Sequence, residues 1–347
     1  MASKLAEDPR IDPRIKEIFA GVELRPQRDV ARREELLADD AFKEEITALQ
    51  AMLNSFNSET IAPSAGLSVR TEHVVSSPDR NTINIQFIRP DNAARLPCVY
   101  YIHGGGMQFL SCYDGNYQAW GRIIAANGVA VAMVDFRNAL YPSSVPEIAP
   151  FPAGLNDCVS GLKWVHANSA ALNIDPERII VAGESGGGNL TLATGLKLKR
   201  DGELGLIKGL YALCPYISGE WPLPQYPSST ENNGILMDLH NNRGAMGYGI
   251  EAFRRHDPLA WPAFASAEDV KGFPPTVINV NECDPLRDEG VEFYRLLIHN
   301  GVRARCRQVM GTVHGTEIFP ACCPDVSYST AADIAYFCAR SGGFSPT

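Results

Sequence analysis

Gly183-Glu184-Ser185-Gly186-Gly187 is the stretch of this 347-residue chain whose residue types and spacing point most directly to chemistry. It follows an apolar, β-branched run at 178–182, which predicts a buried strand, and it precedes 188–197, which predicts a helix. A G-x-S-x-G pattern between a strand and a helix is a nucleophile elbow, whose tight turn lifts the serine hydroxyl above the sheet. A plain glycine-rich turn is the alternative interpretation. The flanking elements favour Ser185 as a nucleophile for attack on a carbonyl carbon.

A second glycine-rich segment, His103-Gly104-Gly105-Gly106, directly follows the apolar run at 98–102, which predicts another buried strand. Glycines let backbone N–H groups approach a ligand without a Cβ in the way. A loop in this position can supply the donors that stabilise an oxyanion formed beside the elbow serine. A tight turn without a ligand is the alternative. For His103 itself we favour a packing role that braces the loop.

Two candidate partners for the serine lie downstream, each just past a predicted strand. Asp284 follows the strand at 276–280 and His314 follows the strand at 304–310, on the same face of the sheet as the serine. A serine hydroxyl is too weak an acid to attack unaided and needs a base, which in turn needs a carboxylate to fix its tautomer. The chain order Ser, Asp, His fits this arrangement. Glu282 is second choice to Asp284, because its side chain is longer and it lies nearer the strand.

The remaining titratable residues are assigned structural roles. Asp288 and Glu289 begin a predicted helix, where acidic side chains favour the helix dipole. The sequence contains neither H-E-x-x-H nor paired C-x-x-C, and it has no phosphate-binding or dinucleotide-binding glycine loop, so no metal and no cofactor are expected. Five histidines are expected to be surface or packing residues: His73, His166, His240, His256 and His299.

Composition excludes several other classes of protein. Apolar residues make up 45% of the chain and charged residues 20%, as in soluble globular proteins. A net charge of −9 without a basic cluster argues against a nucleic-acid partner. The nine cysteines include no C-x-x-C, which favours a reducing, cytoplasmic location over a disulfide framework. No apolar run approaches a membrane span, and the first nine residues lack the apolar region of a secretory signal.

Strands and helices alternate along most of the chain, which predicts a mostly parallel central sheet with helices on both faces. Two segments interrupt the alternation: a charged, helix-like N-terminal segment at 1–60 and a Pro-, Gly- and aromatic-rich insertion at 215–258. Because insertions after a strand's carboxyl end lie over the active-site face, we expect both to form a helical cap. The core then comprises 61–214 and 259–347. The predicted strands are 69–76, 82–89, 98–102, 129–135, 178–182, 209–213, 276–280 and 304–310, and the predicted helices are 29–37, 42–53, 118–127, 155–169, 188–197, 291–300 and 329–339.

At 103–106, 183–189, 284–289 and 314–315 the chain resembles the hormone-sensitive-lipase-like family of α/β-hydrolases. The resemblance covers roughly 95–320 well and the N-terminal segment poorly. It implies the α/β-hydrolase fold and a lid built from the two interrupting segments. It also implies Ser185 as nucleophile, Asp284 as acid and His314 as base, with oxyanion donors from the backbone N–H groups of Gly105, Gly106 and Gly186.

The sequence departs from the common family pattern at three places. Glu184 and Gly186 stand where most members have aspartate and alanine, Phe136 stands for a tyrosine, and 138–141 replaces a Leu-Ala-Pro-Glu run. The changes leave the triad intact, so the chemistry is expected to persist. The substrate is not carried over from the family average.

The residues therefore predict a serine carboxylesterase that hydrolyses small esters through an acyl-enzyme. The resemblance implies short- to medium-chain acyl groups, with lactones as possible substrates, and a monomer or homodimer. An acyltransferase or a lactone or amide hydrolase could use the same triad. A non-catalytic small-molecule receptor of this fold is disfavoured because all three triad residues are present. The candidate pocket residues are Met107, Gln108, Phe109, Tyr216 and Met237.

Overall fold

A central sheet organises the protein, and its computed structural model describes residues 3–19, 21–22, 24–92 and 94–341. The strands of this described part are β1 (Leu67–Val75), β2 (Thr82–Pro90), β3 (Leu96–Ile102), β4 (Ala130–Asp135), β5 (Ile174–Glu184), β6 (Gly209–Leu213), β7 (Thr276–Asn281) and β8 (Ala304–Val309). They form one eight-stranded sheet in the order β1-β2-β4-β3-β5-β6-β7-β8. β2 pairs antiparallel with β1 and with β4, and the other neighbouring pairs are parallel. The predicted mostly parallel sheet is confirmed.

Helices cover both faces of this sheet. The helices of the described residues are α1 (Lys4–Glu7), α2 (Pro13–Phe19), α3 (Arg33–Leu37), α4 (Asp40–Ser55), α5 (Gly115–Ala125), α6 (Ala153–Ala167), α7 (Ser169–Leu172), α8 (Gly186–Arg200), α9 (Ser228–Glu231), α10 (Arg243–Arg254), α11 (Ala267–Val270), α12 (Arg287–His299) and α13 (Pro324–Arg340). Within this set, no helix combines the length and the apolar character that a membrane crossing requires.

The alternation of side chains along β3 shows how the two layers of the core arise. Tyr100 and Ile102 pack into one apolar cluster with residues of α6, α8 and α12. Val99 and Tyr101 pack into a second cluster with residues of α5 and α13. Successive side chains of a strand point to opposite faces, so a strand covered on both sides must be apolar at every position. This requirement explains why the central strands read as uninterrupted apolar runs.

The boundaries differ from the sequence expectations mainly at helix starts. α5 begins at Gly115, α12 at Arg287 and α13 at Pro324, three to five residues before the predicted starts. A helix's first turn is often polar or contains proline, because its N–H groups have no partners within the helix, and apolar periodicity misses such a turn. Likewise β5 begins at Ile174, four residues before the predicted start at 178, because Asp175 and Pro176 interrupt the apolar pattern that identifies the strand.

The N-terminal segment and the insertion contact one another. The segment that the sequence predicted as broadly helical contains four helices, α1 to α4, with irregular connections. α4 packs against α5, and α3 packs against α10 of the insertion. Val30 and Asn242 exchange two hydrogen bonds of 2.9 Å, and Arg243 Nη2 lies 2.6 Å from Asp39 Oδ2.

Candidate active site

Ser185 occupies the sharp turn between β5 and α8. Its backbone has φ 56° and ψ −118°, a conformation that side-chain-bearing residues seldom adopt. The flanking glycines are sterically required: a Cβ on Gly187 would lie 2.0 Å from the carbonyl oxygen of Ile102, and one on Gly183 would lie 2.5 Å from that of Gly187. The turn therefore has the geometry of a nucleophile elbow.

The structure brings Ser185, His314 and Asp284 into one hydrogen-bonded line. His314 Nε2 lies 2.8 Å from Ser185 Oγ, and His314 Nδ1 lies 2.8 Å from Asp284 Oδ2. Asp284 follows β7 and His314 follows β8, so neighbouring parallel strands deliver both side chains to the same edge. Asp284 is fully buried, and its Oδ1 accepts a 2.9 Å bond from the amide of Leu286. This arrangement can draw a proton from the serine as its oxygen attacks.

Burial and the neighbouring carboxylate act on the His314 imidazole in opposite directions. Burial favours the neutral ring and lowers the pKa, but Asp284 and Cys214 together outweigh it and raise the pKa of His314 well above its ordinary value. An imidazole in this setting is stabilised once it has accepted a proton, as a general base must be.

The loop after β3 faces the start of α8. Gly105 and Gly106 both have positive φ, 88° and 60°. A Cβ on Gly186 would lie 2.7 Å from the backbone nitrogen of Gly106 and 2.6 Å from that of Met107. Gly186 is the first residue of α8, so the loop amides meet the positive end of a helix. Such a concentration of backbone N–H groups can stabilise an oxyanion.

His103 lies beneath this loop. Its ring stacks on Phe136 with centroids 4.3 Å apart, and its Nδ1 lies 3.0 Å from the carbonyl oxygen of Gly104. The side chain is fully buried, and burial lowers the pKa of His103. These contacts support the bracing role favoured from the sequence.

The alternative carboxylate, Glu282, is engaged elsewhere. Its Oε2 accepts a 2.7 Å bond from the amide of Gly311, in the turn after β8. Three of the other histidines also have partners away from the serine. His73 contacts Asn84, His240 contacts the carbonyl of Ser229, and His256 stacks on Phe264.

The candidate pocket residues do not share one environment. The amide of Tyr216 donates a 3.1 Å bond to the carbonyl of Ser185, and its ring stacks on Trp221 at 4.7 Å. Met107 is buried with φ 61° beside Gly186. The remaining three have other contacts: Gln108 donates to Gly244 O at 3.4 Å, the Phe109 ring meets Phe42 edge-on at 5.9 Å, and Met237 is half-buried against the apolar cluster that contains Tyr216.

Sequence reasoning missed two buried carboxyl groups near the site. Glu184 accepts a 2.8 Å bond from Tyr117, and burial raises the pKa of Glu184 to about 8. Glu289 points inward from the first turn of α12, where Ile217 N and Trp221 Nε1 donate to it at 2.7 and 2.6 Å. The helix-dipole role expected for Glu289 is therefore incomplete, because the side chain anchors the start of the insertion. The only sequence signal was an acidic residue within each motif, Glu184 in 183–187 and Glu289 in 284–289.

One group in the described part of the chain has donor atoms spaced for a metal ion. Cys214 lies with Asp284 and His314 so that their ligand atoms are within 4.8 Å of one another. Two of the three belong to the hydrogen-bonded line described above, in which His314 Nδ1 already bonds Asp284. We therefore assign Asp284 and His314 to the hydrogen-bonded line with Ser185 and not to a metal site.

Known proteins resemble this chain in sequence and in structure. Residues 99–318 match the family described as the α/β-hydrolase fold. Carboxylesterase NlhH of Mycobacterium tuberculosis is 32% identical over 243 residues, covering 69% of this chain and 72% of the relative. Esterase LipI of the same species is 30% identical and covers 70% of this chain and 72% of LipI.

Two solved structures extend the likeness over nearly the whole chain. The esterase Est22 has 65% identity and a TM-score of 0.96, covering 98% of this chain and 99% of its own. Brefeldin A esterase, a bacterial homologue of human hormone-sensitive lipase, has 35% identity and a TM-score of 0.88, covering 97% and 96%. The chain therefore belongs to the α/β-hydrolase fold family, in the hormone-sensitive-lipase-like group that its motifs indicated.

Proposed function

We propose that this carboxylic ester hydrolase is a serine carboxylesterase that acts through an acyl-enzyme, with Ser185 as nucleophile, His314 as general base and acid, and Asp284 as the orienting carboxylate. The observation that carries the proposal is the continuous line of two 2.8 Å contacts from Ser185 Oγ through the His314 ring to Asp284. Esterases among the relatives support the substrate class.

The first half-reaction forms the acyl-enzyme. His314 Nε2 takes the proton from Ser185 Oγ as the oxygen attacks the ester carbonyl. The carbonyl oxygen becomes an oxyanion against the backbone N–H groups of Gly105, Gly106 and Gly186. Loss of one such donor costs ~3–4 kcal/mol in other serine hydrolases. His314 then protonates the leaving alcohol.

The second half-reaction returns the free enzyme. A water molecule gives a proton to His314 Nε2 and attacks the acyl carbonyl through the same oxyanion geometry. Collapse of the tetrahedral intermediate releases the carboxylic acid and returns the proton to Ser185. Asp284 keeps Nδ1 protonated throughout, so that Nε2 faces the serine as an acceptor.

The N-terminal segment (1–60) and the insertion (215–258) form the cap of this site in our proposal. The Phe42–Phe109 ring contact joins α4 to the segment that follows the glycine loop, and the Tyr216–Ser185 hydrogen bond joins the insertion to the elbow. A cap over the site would limit the depth of the pocket, which suits small esters with short to medium acyl groups. A structure of Est22 with p-nitrophenol supports p-nitrophenyl esters as test substrates.

The test is Ser185→Ala with a p-nitrophenyl ester of a short acid. We expect turnover to disappear while the thermal melting curve stays close to that of the wild type. Ser327→Ala, at a buried serine of α13, is the matched control and should keep full activity. Retained turnover in Ser185→Ala would remove the nucleophile assignment. Product analysis with a competing alcohol distinguishes hydrolysis from acyl transfer, and lactone and amide substrates test the other uses of the triad.

A further inference from the structure

A chain of buried hydrogen bonds joins the residue before Ser185 to the glycine loop. The amide of Gly104 donates to the phenol oxygen of Tyr117 at 2.9 Å. The same phenol donates to Glu184 Oε1 at 2.8 Å. Tyr117 is fully buried and Glu184 is 3% exposed, so water does not compete for these bonds.

The direction of the chain follows from the chemistry of the phenol. A tyrosine hydroxyl has one proton to donate, and its oxygen here accepts from Gly104. Its proton goes to Glu184 Oε1, which can accept whether or not the carboxyl is protonated at its other oxygen. The carboxyl also lies directly against the loop, because a Cβ on Gly104 would be 1.9 Å from Glu184 Oε1.

We propose that Glu184 and Tyr117 are positioning residues that aim the backbone N–H groups of Gly105 and Gly106 at the oxyanion. This inference rests on the proposed function, since it assigns the loop to oxyanion stabilisation. Neither side chain touches the reacting atoms. Each acts by fixing the peptide that begins the loop.

The elements that carry the two residues explain why the loop needs them. Glycines with positive φ have wide conformational freedom, so a loop containing Gly105 and Gly106 is not rigid by itself. On the C-terminal side, the carbonyl of Gly105, which shares a peptide unit with the Gly106 N–H, accepts from the amides of Gln108 and Phe109. On the N-terminal side, the Gly104 amide donates to Tyr117, on helix α5. The loop is thus held on both sides of its two donors.

Glu184 also links the two halves of the site. It ends β5 and is the chain neighbour of Ser185, so the nucleophile and the bonds that hold the loop start from the same strand end. Preorganised donors help catalysis only if their distance from the nucleophile is kept. Aspartate is one methylene shorter than glutamate. We therefore expect Glu184→Asp to loosen its contact with Tyr117.

The decisive variant is Tyr117→Phe, which keeps the buried ring and removes the hydroxyl. We expect kcat to fall ~10- to 100-fold with KM within about twofold, because an oxyanion donor acts mainly in the transition state. Phenylboronic acid, which forms a tetrahedral adduct on a nucleophilic serine, should bind more weakly by a similar factor. Glu184→Gln, which keeps an acceptor oxygen, should retain more activity than Glu184→Leu.

Tyr100→Phe is the matched control. Tyr100 is also fully buried, and its hydroxyl donates to the carbonyl of Cys158 at 2.8 Å, within the core. It should lose a comparable amount of thermal stability and keep its kcat and boronate affinity. Equal kinetic losses in both variants, or none in Tyr117→Phe, would overturn the positioning role.

Labelling of the wild type with a fluorophosphonate separates this proposal from the proposed function. If Ser185 is labelled and Tyr117→Phe behaves as the wild type, only the positioning role fails. If Ser185 is not labelled, the proposed function fails and the positioning role with it.

Discussion

At the scale of single residues, burial decides which carboxylate serves His314. Glu282 and Asp284 are two positions apart after the same strand. Asp284 is fully buried and hydrogen-bonds the imidazole of His314, whereas Glu282 accepts a hydrogen bond from the amide of Gly311. A buried carboxylate is weakly screened, so it stabilises an imidazolium better than an exposed one. The choice between the two acids can therefore be tested by substitution.

Asp284→Asn should lower kcat ~10⁴-fold while the protein stays folded, because an amide in place of the carboxylate favours the wrong imidazole tautomer. Steady-state kinetics with a p-nitrophenyl ester measures the effect. Glu282→Gln is the paired variant and should keep kcat within a few-fold of the wild type. The reverse ranking would assign the orienting role to Glu282.

The site residues differ in how far sequence could predict them. Ser185, Asp284 and His314 each follow a predicted strand in a fixed order, and strand ends of a parallel sheet meet at one edge. The contact between Tyr117 and Glu184 could not be predicted, because it depends on how α5 is rotated against the sheet. Glu289 had an acidic first-turn signature, but the same signature fits an exposed side chain.

At the scale of elements, Arg243 connects the N-terminal segment to the insertion. Its guanidinium bonds Asp39, next to α4, at 2.6 Å and lies 5.4 Å from the ring centroid of Phe42. The side chain is 15% exposed, so the contacts are partly shielded from water. Phe42 in turn packs edge-on against Phe109, beyond the glycine loop. One side chain of α10 thus supports a contact that reaches the site.

Arg243→Ala should lower the free energy of unfolding by ~1 kcal/mol, from the loss of a partly buried ion pair and a cation–π contact. We also expect KM to rise several-fold, if the two segments together cover the pocket. Urea unfolding and steady-state kinetics measure the two effects. Arg254→Ala, on the same helix with an exposed partner at Glu251, should change neither. An unchanged KM in Arg243→Ala would argue against the cap.

Contacts between these elements were beyond sequence reasoning for a simple reason. Val30 and Asn242 exchange hydrogen bonds across 212 positions of the chain, and nothing in the local pattern of either segment indicates the other. The central strands, by contrast, carry their own signal, because burial on both faces requires an unbroken apolar run. The local residue pattern therefore predicted the sheet. It predicted the N-terminal segment and the insertion only as segments that interrupt the alternation of strands and helices.

At the scale of the whole molecule, buried carboxyl groups link stability to pH. Burial raises the pKa of Glu184 from 4.5 to about 8, with Tyr117, Tyr101 and His314 around it opposing the rise. Below pH 4.5 the folded and unfolded chains are both protonated at this group. Between that value and about 8, the folded chain holds a proton that the unfolded chain has released, so stability falls as pH rises.

We expect Glu184→Gln to lose less stability than the wild type between pH 5 and pH 8, because the amide does not titrate. Urea unfolding at the two pH values measures the difference. Part of the decline should remain, since burial also raises the pKa of Glu289 to about 8. Glu147→Gln, at an exposed position, should follow the wild type. Equal declines in all three proteins would contradict the assigned protonation of Glu184.

The backbone around Ser185 limits how the substrate range of this enzyme can be altered in the laboratory. The amide of Ser185 donates to Leu213 O and its carbonyl accepts from Tyr216 N, at 2.9 and 3.1 Å, so both sides of the elbow are bonded to the stretch where the insertion departs. Grafting a relative's insertion from Gly219 onward would leave these three residues in place. Chimaeras joined upstream of Leu213 would instead risk disturbing the elbow, whatever specificity the donor loop carries.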